Sequence, residues 1–392
     1  MGVPHFMFTL LNRIYSNPKK CILLRKYDFS SAFSCLNYDI MLAKLKNARV
    51  TGVALNFFES YFCNHENVYA YGGGLTSKSH SENVGCIQGC VGSPPSYKLY
   101  TADFSSQDDE SILIKWADDS TSQAIADTWL QCDSIIKSET DNLHSVSHAN
   151  KLSLDPLKSE TIPILNEFGR QQSGLQFPPG KMEILGIILD SELTFEFVVK
   201  RVKSKLGRTS DILLGLQNLI PKSRLIDAAS EMLNSDLYFG AEIAALASTK
   251  LHHEIMLQVQ EIGRSVLKNF RCQHISNNRI YMTLGVLPYD HLLAKQTLNF
   301  WNNVVKTNNA LCSLTTNIYS SSRRKTSLKS SSHPSLCPIM RALLKSYELY
   351  LFCCGKTAMS KKPITPKKIF QLDSEHLKSV FRVVHSPSGI KK

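Results

Sequence analysis

Long apolar runs are missing from this sequence of 392 residues. No segment approaches the roughly 20 consecutive apolar residues that cross a bilayer, so we expect no membrane-spanning segment. The short apolar run at residues 6–11 has no lysine or arginine before it and no small-residue cleavage site after it. We therefore expect no signal peptide.

The cysteines lack the patterns that mark a metal site or a disulfide framework. The chain contains 11 of them, an odd number, and no set of cysteines and histidines has the spacing of a zinc site. Cys86 and Cys90 lie close together in the sequence. Scattered cysteines of this kind are typical of reduced thiols, so we expect an intracellular protein.

A charge imbalance is absent from most of the chain. Residues 1–320 hold 30 basic and 30 acidic residues, whereas residues 321–392 hold 15 basic and 3 acidic residues, a net charge of +12. A basic tail suits a polyanion such as nucleic acid. A solvated and weakly folded end fits the same composition equally well.

The chain does contain a pair of adjacent acids, at residues 118 and 119. An apolar run at residues 112–114 leads into Asp118 and Asp119, and small polar residues follow. This pattern predicts a strand, a tight turn and a second strand. Mg²⁺ would relieve the repulsion between two such carboxylates, because it prefers hard oxygen ligands. On this stretch alone, a solvated turn is the simpler interpretation.

A third acid, Asp28, strengthens the metal hypothesis. It lies near the end of an apolar stretch that reads as a strand, 90 residues before Asp118. If the two strand ends lie side by side in one sheet, three carboxylates meet. Such a group can hold two divalent ions roughly 3.5–4 Å apart, which is the arrangement used for in-line phosphoryl transfer. The alternative is that Asp28 caps a helix or a turn.

Apolar spacing predicts the other elements. Residues 84–95 are expected to form a loop, and residues 167–180 a second one. Residues 182–189 are expected to form one strand, and a strand is also expected at residues 21–29. Helices are predicted at residues 5–15, 39–48, 52–62, 96–104 and 124–149, and then from about residue 195 to about 270, with breaks at residues 215–221 and 238–240.

Five motifs occur in a characteristic order: YDFSSAF at 27–33, IQGCVGSP at 87–94, WADD at 116–119, NKLSLDPLKS at 150–159 and ILGIILD at 184–190. Together they resemble the reverse transcriptase of non-LTR (LINE-type) retrotransposons. The resemblance runs from about residue 5 to about residue 300. Any one of these motifs is weak, and their shared order and spacing carry the resemblance.

The resemblance implies an α+β fold: a polymerase palm with a small antiparallel sheet flanked by helices, followed by a helical thumb. We expect partial fingers and palm at residues 1–195, a thumb-like region at 196–318 and a basic C-terminal tail at 319–392. Asp28 has only 27 residues before it. We therefore expect an N-terminally truncated enzyme whose fingers are largely missing.

The resemblance also implies roles for individual residues. Asp28 and Asp118 would be the principal ligands of two Mg²⁺ ions, with Mn²⁺ as the alternative ion, and Asp119 would support them. Phe33 would lie under the incoming sugar, unless it is a core aromatic. Lys158 would neutralise or protonate the pyrophosphate, unless it is only solvated. Gln88 and Gly89 would contact the incoming dNTP and the template, unless they form only a turn.

The implied partners are an RNA template, a DNA primer and dNTPs, and the family's way of life points to the nucleus. Two departures from the family pattern keep a second hypothesis open: Trp116 replaces a tyrosine, and Ile87 replaces a proline. The second hypothesis is an inactive, truncated remnant that at most binds nucleic acid. A third, a metal-dependent phosphohydrolase, lacks a pocket rich in histidine or lysine.

Overall fold

The computed structural model is a mixed α+β protein with a small antiparallel sheet and many helices. It describes residues 2–62, 65–68, 70, 72–74, 76–82, 84–87, 89–267 and 275–306. The chain forms two compact units. One contains the described residues of 17–185, and the other contains residues 2–16 together with the described residues from 186 onward.

The described residues form twelve α-helices and eight strands. The helices are α1 Val3–Ser16, α2 Tyr38–Asn47, α3 Gly52–Phe62, α4 Ser93–Tyr100, α5 Trp129–Ala149, α6 Glu167–Gln171, α7 Glu196–Leu216, α8 Lys222–Tyr238, α9 Ala241–Ala244, α10 Thr249–Val266, α11 Asn277–Leu284 and α12 Tyr289–Lys306. The strands are β1 Cys21–Tyr27, β2 His65–Asn67, β3 His80–Glu82, β4 Ser111–Trp116, β5 Asp119–Ala126, β6 Glu160–Pro163, β7 Lys181–Ile184 and β8 Ile187–Asp190.

The main sheet of the 17–185 unit has four antiparallel strands in the order β4, β5, β1, β6. The pairing of β1 with β5 runs from Cys21 opposite Ala126 to Tyr27 opposite Ser120. β4 and β5 form a hairpin whose last pair is Trp116 and Asp119. The C-terminal end of β1 therefore lies beside the turn of this hairpin.

Helix α5 covers one face of the sheet. Strand alternation places Cys21 and Leu23 on the same side of β1, where they pack with Ala124 and Ala126 of β5 and with apolar side chains of the helix. Trp129, at the start of α5, is fully buried, and its indole nitrogen donates to the Gly169 carbonyl at 3.1 Å. This core holds the central strands rigid behind the turn that carries the acids.

The predicted helix at residues 124–149 was wrong in its first five residues. Residues 124–126 belong to β5, and α5 begins at Trp129 because Thr128 and Gln131 form a reciprocal capping box there. Ile125 fits a helical and an alternating pattern equally well, so its apolar character could not distinguish them.

The predicted loop at residues 84–95 ends earlier than expected, at the start of α4. Gly92 occupies the N-cap position of this helix, and Pro94 and Pro95 fall in its first turn, where a proline costs little. The predicted helix at 96–104 was therefore displaced by several residues. Proline and glycine stabilise a helix start here, although they would weaken a helix interior.

Two further expectations are corrected. The predicted strand at residues 182–189 is two strands, β7 and β8, because Leu185 and Gly186 between them both have positive φ angles, of 50° and 79°. The predicted loop at residues 167–180 begins with the short helix α6, which Asn166 caps by accepting from the Gly169 amide at 2.6 Å.

The other unit is largely helical, and the helical pattern predicted from residue 195 onward is confirmed. The helices α7, α8 and α10 bury apolar side chains such as Leu206, Leu233 and Val259. At Gly263 a Cβ atom would lie 2.2 Å from Ile280, so α10 and α11 approach each other closely at this point. The stacked rings of Phe8 and Phe300, 4.5 Å apart, connect α1 with α12.

Across the described residues, no helix is long and apolar enough to cross a membrane. The predicted division into residues 1–195, 196–318 and 319–392 stays a prediction, and the tail falls outside the described residues.

Candidate active site

Asp118 lies at the tip of the β4–β5 hairpin. The pair formed by Trp116 and Asp119 closes a turn whose two central residues are Ala117 and Asp118. Ala117 adopts the left-handed conformation, with φ of 52°. This conformation is unfavourable for a residue with a Cβ atom, yet tight hairpin turns require it because it matches the strand twist. The turn places Asp118 at the edge of the sheet and Asp119 at the first position of β5.

Asp28 reaches the same edge of the sheet from the neighbouring strand. Tyr27 pairs with Ser120, so the next residue along the chain, Asp28, falls beside Asp119 at the end of the ladder. Neighbouring strands are about 4.8 Å apart. The register therefore brings Asp28 beside Asp119, at the edge where the hairpin turn carries Asp118.

A segment after α5 brings Lys158 to this edge. Phe29 bridges to Leu154, and the Asp155 amide donates to the Asp28 carbonyl at 2.9 Å. This pairing places the Lys158 ammonium 3.2 Å from an Asp28 carboxylate oxygen and 3.7 Å from one of Asp155. The two negative charges raise the pKa of Lys158, the hydrogen bond to Asp28 being the largest cause. Lys158 is therefore ion-paired as well as solvated.

Sequence reasoning missed a second lysine at the site, Lys26. Its ammonium lies 3.1 Å from an Asp119 carboxylate oxygen and also donates to the Glu183 carbonyl at 3.2 Å. Strand alternation could have indicated it, because Lys26 is two residues before Asp28 and so falls on the same face of the strand. Asp155 was also missed as a member of the site, although its motif was noted.

The site residues predicted to contact the nucleotide lie around α4. Phe33 is half-buried and packs against the buried Tyr97, with ring centroids 4.6 Å apart. Burial, and next the negative charge of Asp118, raise the pKa of the Tyr97 hydroxyl, so Asp118 and α4 are neighbours. Gly89 is exposed, and nothing lies within 4 Å of the position of a Cβ atom there. Gln88 falls outside the described residues.

Taken together, this edge of the sheet carries more carboxylates than ammonium groups. Among the described residues, Asp119 pairs with Lys26, and Asp28 and Asp155 pair with Lys158. Asp118 is the fourth carboxylate at this edge. Such oxygen ligands suit Mg²⁺. However, no three Asp, Glu, His or Cys side chains within the described ranges are arranged to hold one metal ion. Asp28 and Asp119 each face a lysine instead.

No protein-family model matches the sequence, and no curated protein matches it. Among solved structures, telomerase of Candida tropicalis in complex with a TWJ fragment of telomeric RNA matches 74% of this chain and 50% of its own, at 11% identity and a TM-score of 0.38. Apo telomerase of the same organism matches 83% and 54%, at 12% identity and a TM-score of 0.38.

Telomerase of Candida albicans, also with a TWJ fragment of telomeric RNA, matches 83% of this chain and 55% of its own, at 10% identity and a TM-score of 0.36. The chain thus spans about half the length of the telomerase chains that it matches. Likeness at these TM-scores is weak, and by itself it defines neither the fold nor the function of this chain.

Proposed function

We propose that this chain is an RNA-directed DNA polymerase domain of the non-LTR retrotransposon type. It would transfer a nucleotide from a dNTP to the 3′-hydroxyl of a DNA primer paired with an RNA template. One observation carries this proposal: Asp28, at the end of β1, lies beside the turn that presents Asp118 and Asp119. The five ordered motifs support it independently.

Each site residue has a proposed task. Asp28 and Asp118 would be the main carboxylate ligands, with Asp119 in support, and two Mg²⁺ ions, or Mn²⁺, would supply charge stabilisation at the reacting phosphate. Lys158, an exposed lysine that is protonated at neutral pH, would neutralise the leaving pyrophosphate. Phe33 would exclude a 2′-hydroxyl, and Gln88 and Gly89 would contact the nucleotide and template.

Metal binding at this site requires a rearrangement of two ion pairs. The ammonium groups of Lys26 and Lys158 lie within 3.2 Å of the carboxylates that the ions would use. Lys158 is well exposed, and its flexible stem would let its ammonium turn away from Asp28. Lys26 would have to leave both Asp119 and the Glu183 carbonyl. The sheet and hairpin would then form the palm, the helices at 196–318 the thumb, and the tail a nucleic-acid contact.

Primer extension tests this function. An oligo(dT) primer on a poly(rA) template is incubated with dTTP and either Mg²⁺ or Mn²⁺, using the full chain. We expect that Asp118→Ala and Asp28→Ala each abolish extension. Asp127→Ala is the matched control, because Asp127 is well exposed and, in the described part of the chain, forms its ion pair with Lys20, away from the site. Extension that survives in Asp118→Ala would contradict the proposal.

The second candidate function is nucleic-acid binding without polymerisation. The observation that favours it is the pairing of Asp28 and Asp119 with lysines, which neutralises the carboxylates without a metal. The departures at Trp116 and Ile87 point in the same direction. A wild-type chain that retains the primer–template at low salt, yet extends it with neither ion, would establish this function in place of the first.

A further inference from the structure

Lys26 is held far more firmly than the other lysine of the site. It lies in β1, between β5 and β6, and it pairs with Thr121 on one side and with Glu160 on the other. Its side chain is 21% exposed, whereas that of Lys158 is 63% exposed. The backbone of Lys26 is therefore fixed by a strand on each side, and most of its side chain is shielded from water.

The ammonium of Lys26 connects two strands. It lies 3.1 Å from an Asp119 carboxylate oxygen at the start of β5, and it donates to the Glu183 carbonyl of β7 at 3.2 Å. The Asp119 side chain is itself 24% exposed. Opposite charges attract more strongly where water is partly excluded than they do in bulk water. Lys26 therefore supplies Asp119 with a cation from within the chain.

The position of this ammonium conflicts with a divalent ion on Asp119. Mg²⁺ binds its oxygen ligands at about 2.0–2.1 Å. An ion on the Asp119 oxygen that faces Lys26 would share that oxygen with an ammonium 3.1 Å away, and the two positive charges would repel. In the part of the chain that the structure describes, no group of three metal-binding side chains is arranged to hold an ion.

We propose that Lys26 takes the place of a divalent ion at Asp119 and sets the affinity of the site for that ion. In the free chain the ammonium neutralises Asp119, and an ion binds there only when it displaces Lys26 from both of its acceptors. The inference rests on the proposed function in one respect, the use of Asp119 as a metal ligand. Lys158 offers less resistance, because its exposed ammonium is readily hydrated when it leaves Asp28.

Variants of Lys26 that differ in charge test this competition. Lys26→Gln removes a positive charge that lies 3.1 Å from an Asp119 oxygen, so Mn²⁺ should bind roughly tenfold more tightly. Lys26→Met, which also removes the charge and keeps an apolar stem, should show the same increase in affinity. Lys26→Arg keeps the charge and should bind Mn²⁺ as weakly as wild type does. A purely structural role for Lys26 would not sort the variants by charge.

The affinity is measured on the full chain without primer, template or dNTP. The chain is titrated with Mn²⁺ at pH 7, and the free ion is followed by electron paramagnetic resonance. Lys20→Gln is the matched control, because Lys20 forms an ion pair with Asp127 at 2.8 Å, at the opposite end of β1. It should leave the affinity unchanged. Asp119→Asn, added to Lys26→Gln, should abolish the tighter binding and so locate the ion at Asp119.

The melting temperature gives a second readout. Lys26→Gln leaves Asp119 without its ion pair, so it should melt below wild type when no metal is present. A ligand that binds the folded state raises the melting temperature. Saturating Mn²⁺ should therefore raise that of Lys26→Gln by more than that of wild type. Equal Mn²⁺ affinities in wild type and the two uncharged variants, or an equal increase in Lys20→Gln, would overturn the proposal.

These outcomes are separable from those of the proposed function. Tighter Mn²⁺ binding by Lys26→Gln, in a chain that extends no primer, supports the role of Lys26 and contradicts the polymerase. Primer extension by wild type, together with equal Mn²⁺ affinities in wild type and Lys26→Gln, contradicts only the role of Lys26.

Discussion

At the scale of single residues, the aspartates of the candidate site form ion pairs that the motifs alone do not predict. Lys26 comes from the strand before YDFSSAF and holds Asp119, while Lys158 and Asp155 form an ion-pair network with Asp28. These pairings depend on which residues of β1, β5 and the 153–155 segment lie opposite one another. The sequence motifs could predict the acids and Lys158, whereas the ion pairs of Lys26 with Asp119 and of Lys158 with Asp155 follow from the register.

Ala117 provides a test of the hairpin turn that presents Asp118. Its left-handed conformation costs a residue with a Cβ atom about 1 kcal/mol, which glycine does not incur. We expect Ala117→Gly to raise the free energy of unfolding by about 1 kcal/mol, as measured by urea unfolding. Ala228→Gly, within helix α8, is the control of opposite sign and should lower it by about 1 kcal/mol. A destabilised Ala117→Gly would show that the turn is not formed in this way.

Glu242, in α9, predicts a pH dependence of stability. Burial of its carboxylate raises its pKa in the folded chain. The folded chain therefore keeps a proton that the unfolded chain releases, and stability falls as the pH rises through the unfolded pKa of about 4.3. We expect Glu242→Gln to unfold at a higher temperature than wild type at pH 7, and at an equal temperature near about pH 3.

The control for this pH effect is Glu254→Gln, which should shift stability in the opposite direction. Lys203 lies 3.0 Å from the Glu254 carboxylate and lowers its pKa, so the charged form is favoured in the folded chain. Removal of that charge should lower the melting temperature at pH 7 and have no effect at low pH. Glu242→Gln that behaves like Glu254→Gln would mean that the Glu242 carboxylate is stabilised in the fold.

At the scale of elements, local signals predicted the hairpin of β4 and β5 and the helices that follow Phe195. They failed where a helical and an alternating apolar pattern overlapped. The capping box of Thr128 and Gln131 fixes the start of α5. Both residues are visible in the sequence, but the apolar spacing predicted an earlier start for the helix. The division of one predicted strand into β7 and β8 depended on the left-handed conformation of Leu185, which no local preference of leucine indicates.

Helix α4 contains two buried tyrosines, Tyr97 and Tyr100, which differ in the hydrogen bonds of their hydroxyl groups. The Tyr100 hydroxyl donates to the Asn150 carbonyl at 2.5 Å and accepts from the Asn37 amide at 3.2 Å, so it joins α4 to the start of α2 and the end of α5. Tyr97 is equally buried, but its hydroxyl has no hydrogen-bond partner among the described residues.

Because Tyr100→Phe would leave two buried backbone groups unsatisfied, we expect it to lower the free energy of unfolding by about 1–3 kcal/mol. Tyr97→Phe removes a hydroxyl that makes no bond there, so it should be neutral or stabilising. Urea unfolding of the two variants in parallel measures the difference. Equal losses in both would mean that the Tyr97 hydroxyl has a partner in solution.

At the scale of the whole molecule, the charge is divided along the chain. Residues 1–320 are neutral overall, and residues 321–392 carry the full net charge of +12. A protein that contacts phosphates through lysine and arginine releases counterions, and the logarithm of its affinity falls with the logarithm of the salt concentration by about 0.9 for each contact with duplex DNA. The difference between the slopes of the full chain and of a chain without the tail charges therefore measures the contacts made by the tail.

We expect a chain ending at residue 320 to bind a primer–template more weakly than the full chain at low salt, with a flatter salt dependence. The matched control keeps the length and replaces the 15 tail lysines and arginines with glutamine. It should reproduce the truncation, because the expected loss is one of charge and not of chain. Fluorescence anisotropy of a labelled primer–template over a range of salt concentrations measures both slopes. If the salt slope of the glutamine variant equals that of the full chain, the tail makes no phosphate contacts. Any nucleic-acid binding would then come from residues 1–320.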